Sequence, residues 1–132
     1  MKILLDTNVL VSGFVTRGQT FDVVKDALYR HEVYTTDYLL HEFRCALNAK
    51  FFELSPRTKD LLAEVVEKYF IRGLTAPKTI PICRDPKDDQ VLADALVNGV
   101  DLILTGDKDL LYLKIYEGIR ILSPKDYWAI SK

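Results

Sequence analysis

Residues 102–111 read LILTGDKDLL: three aliphatic residues in a row, a turn of Thr105, Gly106 and Asp107, and then a segment able to start a helix. A short apolar run without polar alternation is the pattern of a strand buried on both faces, and such strands belong to parallel sheets. An acid just past that run stands at the strand's carboxyl end. The opening of the chain repeats the arrangement, because the apolar run Ile3 to Leu5 stops at Asp6 and continues as Thr7-Asn8 within LDTNVLVSG, residues 5–13. Further strands are read at Val33 to Thr35, weakly at Ile80 to Ile82, and at Ile119 to Leu122, which makes five.

Between these runs, apolar residues recur at helical spacing. The sets are Phe21, Val24 and Leu28; Leu39, Leu40, Phe43, Ala46 and Leu47; Leu61, Leu62, Val65, Val66 and Tyr69; and Val91, Leu92, Ala95 and Leu96. Each predicts a helix with one buried face. Ser55-Pro56 and Asp85-Pro86 are helix starts, Asn98-Gly99 is a helix end, and Pro124 opens a last short helix. Strands alternating with helices predict an α/β fold with a mainly parallel sheet, whose strand ends line one edge where ligand sites form.

The chain has 132 residues, enough for one domain, residues 1–132, and too short for two ordinary ones. At this length roughly two-thirds of the unfolded surface is hidden on folding without disulfides or a structural metal. Hydrophobic residues at 48% and charged residues at 28% exclude a disordered or low-complexity chain. A net charge of −1 supplies no global attraction for a polyanion, so any such partner needs local contacts. Two cysteines, Cys45 and Cys83, are too few for a disulfide scaffold and suit a reducing compartment. Met1 to Asp6 meets a charge after three apolar residues, which is not the pattern of a secretory leader, and no apolar run nears the ~20 residues of a membrane span. The expectation is a soluble cytoplasmic protein.

Four acids are expected to meet at the carboxyl edge: Asp6 after the first strand, Glu42 beside Leu39 and Phe43 on an inward helix face, Asp89 in the first turn of the helix from Pro86, and Asp107 after the fourth strand. Blander roles compete. Asp107 can cap the helix that follows it, Asp85 and Asp88 fit the cap and third position of theirs, and Glu42 can be a solvated helix residue. Thr7 and Asn8 are free to cap after the first strand, which leaves Asp6 without a structural task. Two like charges ~5 Å apart at an effective dielectric of 20 repel by roughly 3 kcal/mol, so four in one cleft require protonation or a cation. Oxygen-only ligands, without a His or Cys cluster, select magnesium or manganese. Such a site suits phosphodiester hydrolysis. Setting the four acids aside leaves 18 basic against 15 acidic residues, and Arg17, Arg84, Lys87 and Lys108 lie where they can contact phosphates. His31 and His41 are read as surface or part-buried residues.

Together, LDTNVLVSG, HEF at 41–43, RDPKDDQVLADA at 84–95 and LILTGDKDLL resemble the PIN-domain ribonucleases, in particular the VapC-like toxins of toxin–antitoxin pairs. The resemblance runs essentially end to end. It implies a three-layer α/β/α fold with a five-stranded parallel sheet of order 3-2-1-4-5, and magnesium- or manganese-dependent endonuclease action on RNA. It also implies frequent homodimers and a small antitoxin as partner. Its four metal-binding acids carry over onto Asp6, Glu42, Asp89 and Asp107, with Asp109 accessory and Asn8 and Thr105 supporting. The segment DPKDDQ offers Asp85, Asp88 and Asp89 for the third acid; Asp89 is favoured because capping does not need it, and Asp88 is then supporting. Two rival readings are a phosphoacceptor receiver domain, which expects adjacent acids after the first strand, and a PIN-like fold that binds without catalysis.

Overall fold

The structure is a computed structural model that describes residues 1–16 and 18–130. Six strands form one sheet: β1 (Lys2–Leu5), β2 (Glu32–Thr35), β3 (Ile71–Arg72), β4 (Leu102–Leu104), β5 (Ile115–Tyr116) and β6 (Ile119–Leu122). Their order is β3-β2-β1-β4-β6-β5. All neighbours are parallel except β5 and β6. The helices are α1 (Thr7–Val11), continued by a π-helical turn, α2 (Gln19–Arg30), α3 (Asp37–Lys50), α4 (Pro56–Tyr69), α5 (Pro86–Val97) and α6 (Lys108–Leu113), and a 3-10 segment spans Pro124–Ala129.

Alternate residues of the central strands feed two cores, because successive side chains leave a strand on opposite faces. Ile3 and Leu5 of β1, with Leu102 and Leu104 of β4, pack with residues of α1 to α4 and Tyr127. Leu4 and Ile103 pack on the other face with Val91, Leu92 and Ala95 of α5 and Leu110 of α6. This is the expected three-layer arrangement. The helix starts are also as expected: the Ser55 hydroxyl accepts from the Thr58 amide (3.1 Å), the Asp85 carboxylate from the Lys87 amide (2.9 Å), and Gly99 ends α5 at φ +63°. The apolar faces are narrower than expected, since Leu61, Tyr69 and Leu96 are exposed.

The sheet departs from expectation at both edges. The third strand is Ile71–Arg72, paired to Tyr34 and Thr35, and not the stretch from Ile80 to Ile82, which carries no strand. That stretch lies in a long connection held by hydrogen bonds to α5 instead of by a ladder. Asn98, Asp94 and Gln90 follow one another at four-residue intervals on α5. Asn98 accepts from the Leu74 amide (2.9 Å), Asp94 from the Ala76 amide (2.7 Å), and Gln90 donates to the Ala76 carbonyl (2.9 Å). Asp94 has no exposure and also accepts from the Thr36 hydroxyl (2.7 Å) and the Gln90 amide group (2.8 Å), so the buried carboxylate has three donors. The sixth strand, β5, forms a two-residue hairpin with β6. Its turn residues Glu117 and Gly118 both have positive φ, the signature of the turn whose twist matches paired strands. No helix of the described residues is long and apolar enough to cross a membrane.

Candidate metal centre

Asp6 leaves β1 where its amide donates to the Leu104 carbonyl of β4 (3.0 Å), which fixes two strand ends side by side. Its carboxylate is buried. One oxygen accepts from the Thr7 amide (2.8 Å), so Asp6 itself caps α1, a task expected of Thr7 or Asn8. The other accepts from the Thr105 hydroxyl (2.8 Å) and the Asn8 side-chain amide (3.2 Å). Burial pushes the Asp6 carboxyl above the usual range. The hydrogen bonds from Thr105 and Thr7 oppose that rise, and the nearby Asp107 adds to it.

Thr105 joins the two acids, because its hydroxyl oxygen also accepts from the Asp107 amide (3.0 Å). The Asn8 side-chain oxygen accepts from the Gly106 amide (2.8 Å), a second tie between the loops after β1 and β4. Asp107 caps α6 by accepting from the amides of Asp109 (2.8 Å) and Leu110 (3.2 Å), and it lines the same cleft as Asp6. The capping role and the cleft position hold together.

The third acid is where the structure departs from the expectation. Asp89 does not line the cleft: one of its oxygens accepts from the amides of Ile82 (3.0 Å) and Cys83 (2.7 Å). Burial acts to raise its pKa, but those amide donors, Cys83 foremost, outweigh it and hold the carboxyl below the usual range. Asp88, one residue earlier at the third position of α5, faces the cleft instead. It is 6% exposed, and its Oδ2 is buried without a hydrogen-bond partner among the described residues. Burial first, then Asp107, Asp6, Asp85 and Asp109, push its pKa up to about 7. Oxygens of Asp88, Asp107 and Asp109 lie within 4.8 Å of one another. Asp88 thus lines the cleft and Asp89 is held by the preceding loop, because an acid can be used by such a loop as well as by a helix cap.

Glu42 of α3 completes the cleft, which has a volume of about 530 Å³. Its carboxylate is 3.6 Å from the Lys87 ammonium. Arg84 is largely exposed and donates to Asp109 (2.7 Å), so both cations sit at the rim and not between Asp6, Asp88 and Asp107. Lys108 is exposed at the start of α6 and does not line the cleft, and Arg17 lies outside the described residues. Tyr38, which sequence reasoning missed, lines the cleft with its phenol pushed up to about 12 by burial and by Glu42, Asp85, Asp94 and Asp6. A buried carboxylate oxygen with no donor among the described residues, together with Asp6, Glu42, Asp85 and Asp107 on the same cleft, forms an oxygen donor set that fits a divalent cation.

Residues 2–109 match the family described as PIN domain. The chain belongs to the PIN domain family. Members of this family are generally metal-dependent nucleases, and the acidic cleft of this PIN domain fits a divalent metal. A relative of this PIN domain is the uncharacterized protein MJ1680 of Methanocaldococcus jannaschii, 26% identical over 149 residues, covering 96% of this chain and 89% of that protein. Among solved structures, a chain of VapBC2 from Rickettsia felis bound to a DNA fragment from their promoter superposes with a TM-score of 0.69 at 9% identity, covering 92% of this chain and 97% of that one. A chain of FitAcB from Neisseria gonorrhoeae gives 0.59 at 17% identity, covering 93% and 98%. These likenesses show a shared fold. The family match sets aside the receiver reading, in keeping with the single acid that ends β1.

Proposed function

We propose that this PIN domain is a magnesium- or manganese-dependent endoribonuclease, cytoplasmic, and the toxin of a VapC-like toxin–antitoxin pair. The observation that carries the reading is the buried Oδ2 of Asp88, without a partner in a cleft that also holds Asp6, Glu42 and Asp107. A charge in that position costs stability unless a cation shares it.

Asp6, Glu42, Asp88 and Asp107 would hold the ion, with Asp109 accessory. When bound, a divalent ion lowers the pKa of water, orients a phosphate and offsets charge on the oxygens of the reacting diester. The chain's own residues prepare that site. Thr105 holds Asp6 and Asp107 at one spacing, Asn8 ties the two loops, and Tyr38 keeps its proton near four carboxylates and so remains a donor. Lys87 and Arg84, at the rim, are placed to meet the phosphates next to the one cleaved.

The test is cleavage of an unstructured RNA by purified protein with manganese, after chelation, and with Asp6→Asn. Manganese-dependent cleavage lost in the variant supports the reading, and equal cleavage in every lane contradicts it. Full metal binding without cleavage of any RNA or DNA would instead favour the silent binding module. Assignment as a toxin draws on the fold shared with the VapBC2 and FitAcB chains. It predicts a small antitoxin recovered with the protein from its host, and a homodimer. Recovery of the protein alone in repeated preparations would contradict the toxin assignment.

A further inference from the structure

We propose that the part of the cleft leading away from the acids, between α1 and α3, receives unpaired nucleotides on one side of the phosphate to be cleaved, with Lys50 binding a phosphate at its far end. This rests on the nuclease reading above. Past Asp6 and Glu42 the cleft continues along Val11, Ser12, Cys45, Ala46, Ala49 and Lys50. On α3 these positions follow Glu42 at intervals of three, four, seven and eight residues, the spacing of one helix face. The groove therefore tracks the helix for about 12 Å at 1.5 Å per residue.

Its chemistry changes along that path. Carboxylates stand at one end, then five side chains without charge, and then an ammonium. Among the described residues Lys50 and Lys87 are the cations that line the cleft. Lys87 is paired with Glu42, whereas Lys50 has no ion pair among the described residues. An anionic strand whose reacting phosphate lies at the acid end, with its cation, meets a low uncharged floor and then a free positive charge, which matches alternating phosphate and base. A cleft of about 530 Å³ has the size of a site for a small ligand. Stacked base pairs cannot enter it, but the splayed bases of a single strand can. The occupant is thus single-stranded RNA.

The experiment compares wild type with Ala49→Trp, which fills the groove from an exposed helix position, and with Lys50→Ala. Binding of a labelled single-stranded oligoribonucleotide is followed by fluorescence anisotropy in calcium. Hydrolysis in manganese is measured for the same RNA and for bis(p-nitrophenyl) phosphate, a diester too small to reach the groove. Ala49→Trp is expected to weaken RNA binding about tenfold, and Lys50→Ala about fivefold, the value of one exposed charged contact. Lys50→Ala should also flatten the slope of log Kd against log salt by about 0.7, the loss of one phosphate contact on a single strand. Both variants should hydrolyse the small diester like wild type. Wild-type RNA affinity in both variants, or a duplex bound as tightly as the single strand, would overturn the groove assignment. A wild-type protein that hydrolyses neither substrate refutes the nuclease reading instead, and the binding arm still reports on the groove.

Discussion

Asp88→Asn is expected to stabilise the metal-free protein at pH 8 while removing its response to metal. The folded state keeps the Asp88 proton up to about pH 7, whereas the unfolded chain releases it near 3.8. Between those values the folded state binds more protons, so stability falls as pH rises, and the penalty is complete above about pH 7. At 1.36 kcal/mol per pK unit the shift has an upper limit of about 4 kcal/mol, which water in the open cleft reduces to about 2. Asn carries no charge to strand and nearly the same shape. For a domain of this size about 2 kcal/mol corresponds to a rise in Tm of about 5–10 °C. Melting would be followed by circular dichroism in chelator at pH 4.5 and pH 8, and again with manganese. The gap between variant and wild type should be full at pH 8 and about half as large at pH 4.5, where the unfolded carboxyl is still partly protonated, and manganese should raise Tm in wild type alone. A variant less stable than wild type at both pH values, or one that keeps the full manganese shift, would show that Asp88 is neither a buried charge nor a metal ligand.

Asp89→Ala removes the acceptor of two loop amides and should cost about 1–2 kcal/mol in urea unfolding, yet calorimetry should still detect manganese. Loss of binding in the folded variant would return Asp89 to the site. Thr105→Val strips a hydrogen bond from the buried Asp6 and an acceptor from the Asp107 amide, for an expected loss of about 2–3 kcal/mol that Thr105→Ser largely restores. Equal denaturation midpoints for all three proteins would contradict the bridging role. The Tyr38 phenol, held near pKa 12, should be missing from the tyrosines that ionise around pH 10 in an absorbance titration, as a difference from Tyr38→Phe reveals. Because the unfolded chain ionises first, this residue's share of stability declines as pH climbs from about 10 to 12. A Tyr38 signal centred near pH 10 would show that the neighbouring carboxylates do not act on it.

Those parts of the fold that depend on long apolar runs and strong punctuation were legible in the sequence. Residues 3–5, 33–35, 102–104 and 119–122 read as strands and lie within strands, and Ser55-Pro56, Asp85-Pro86 and Asn98-Gly99 marked real helix ends. The two short edge strands were not legible, because two residues show no periodicity and Ile71–Arg72 is defined by its pairing to β2 alone. Ile80 to Ile82 misled for a related reason: its apolar residues are exposed in a connection that Gln90, Asp94 and Asn98 hold from α5, a contact separated by long stretches of chain. In the cleft, Asp6, Glu42 and Asp107 were readable from strand ends and helical phase. The choice between Asp88 and Asp89 was not, since it turns on which carboxylate the loop at residues 82–83 captures. A hint was present in the adjacency of the two acids, where a helix of 100° per residue can aim only one at the cleft.

Anomalous diffraction from manganese-soaked crystals addresses the metal centre most directly. At least one strong peak is expected within about 2.2 Å of carboxylate oxygens from Asp88 and Asp107, with Asp6 or Glu42 in the same coordination sphere. Density centred on Asp89, or none among these acids at millimolar manganese, would contradict it.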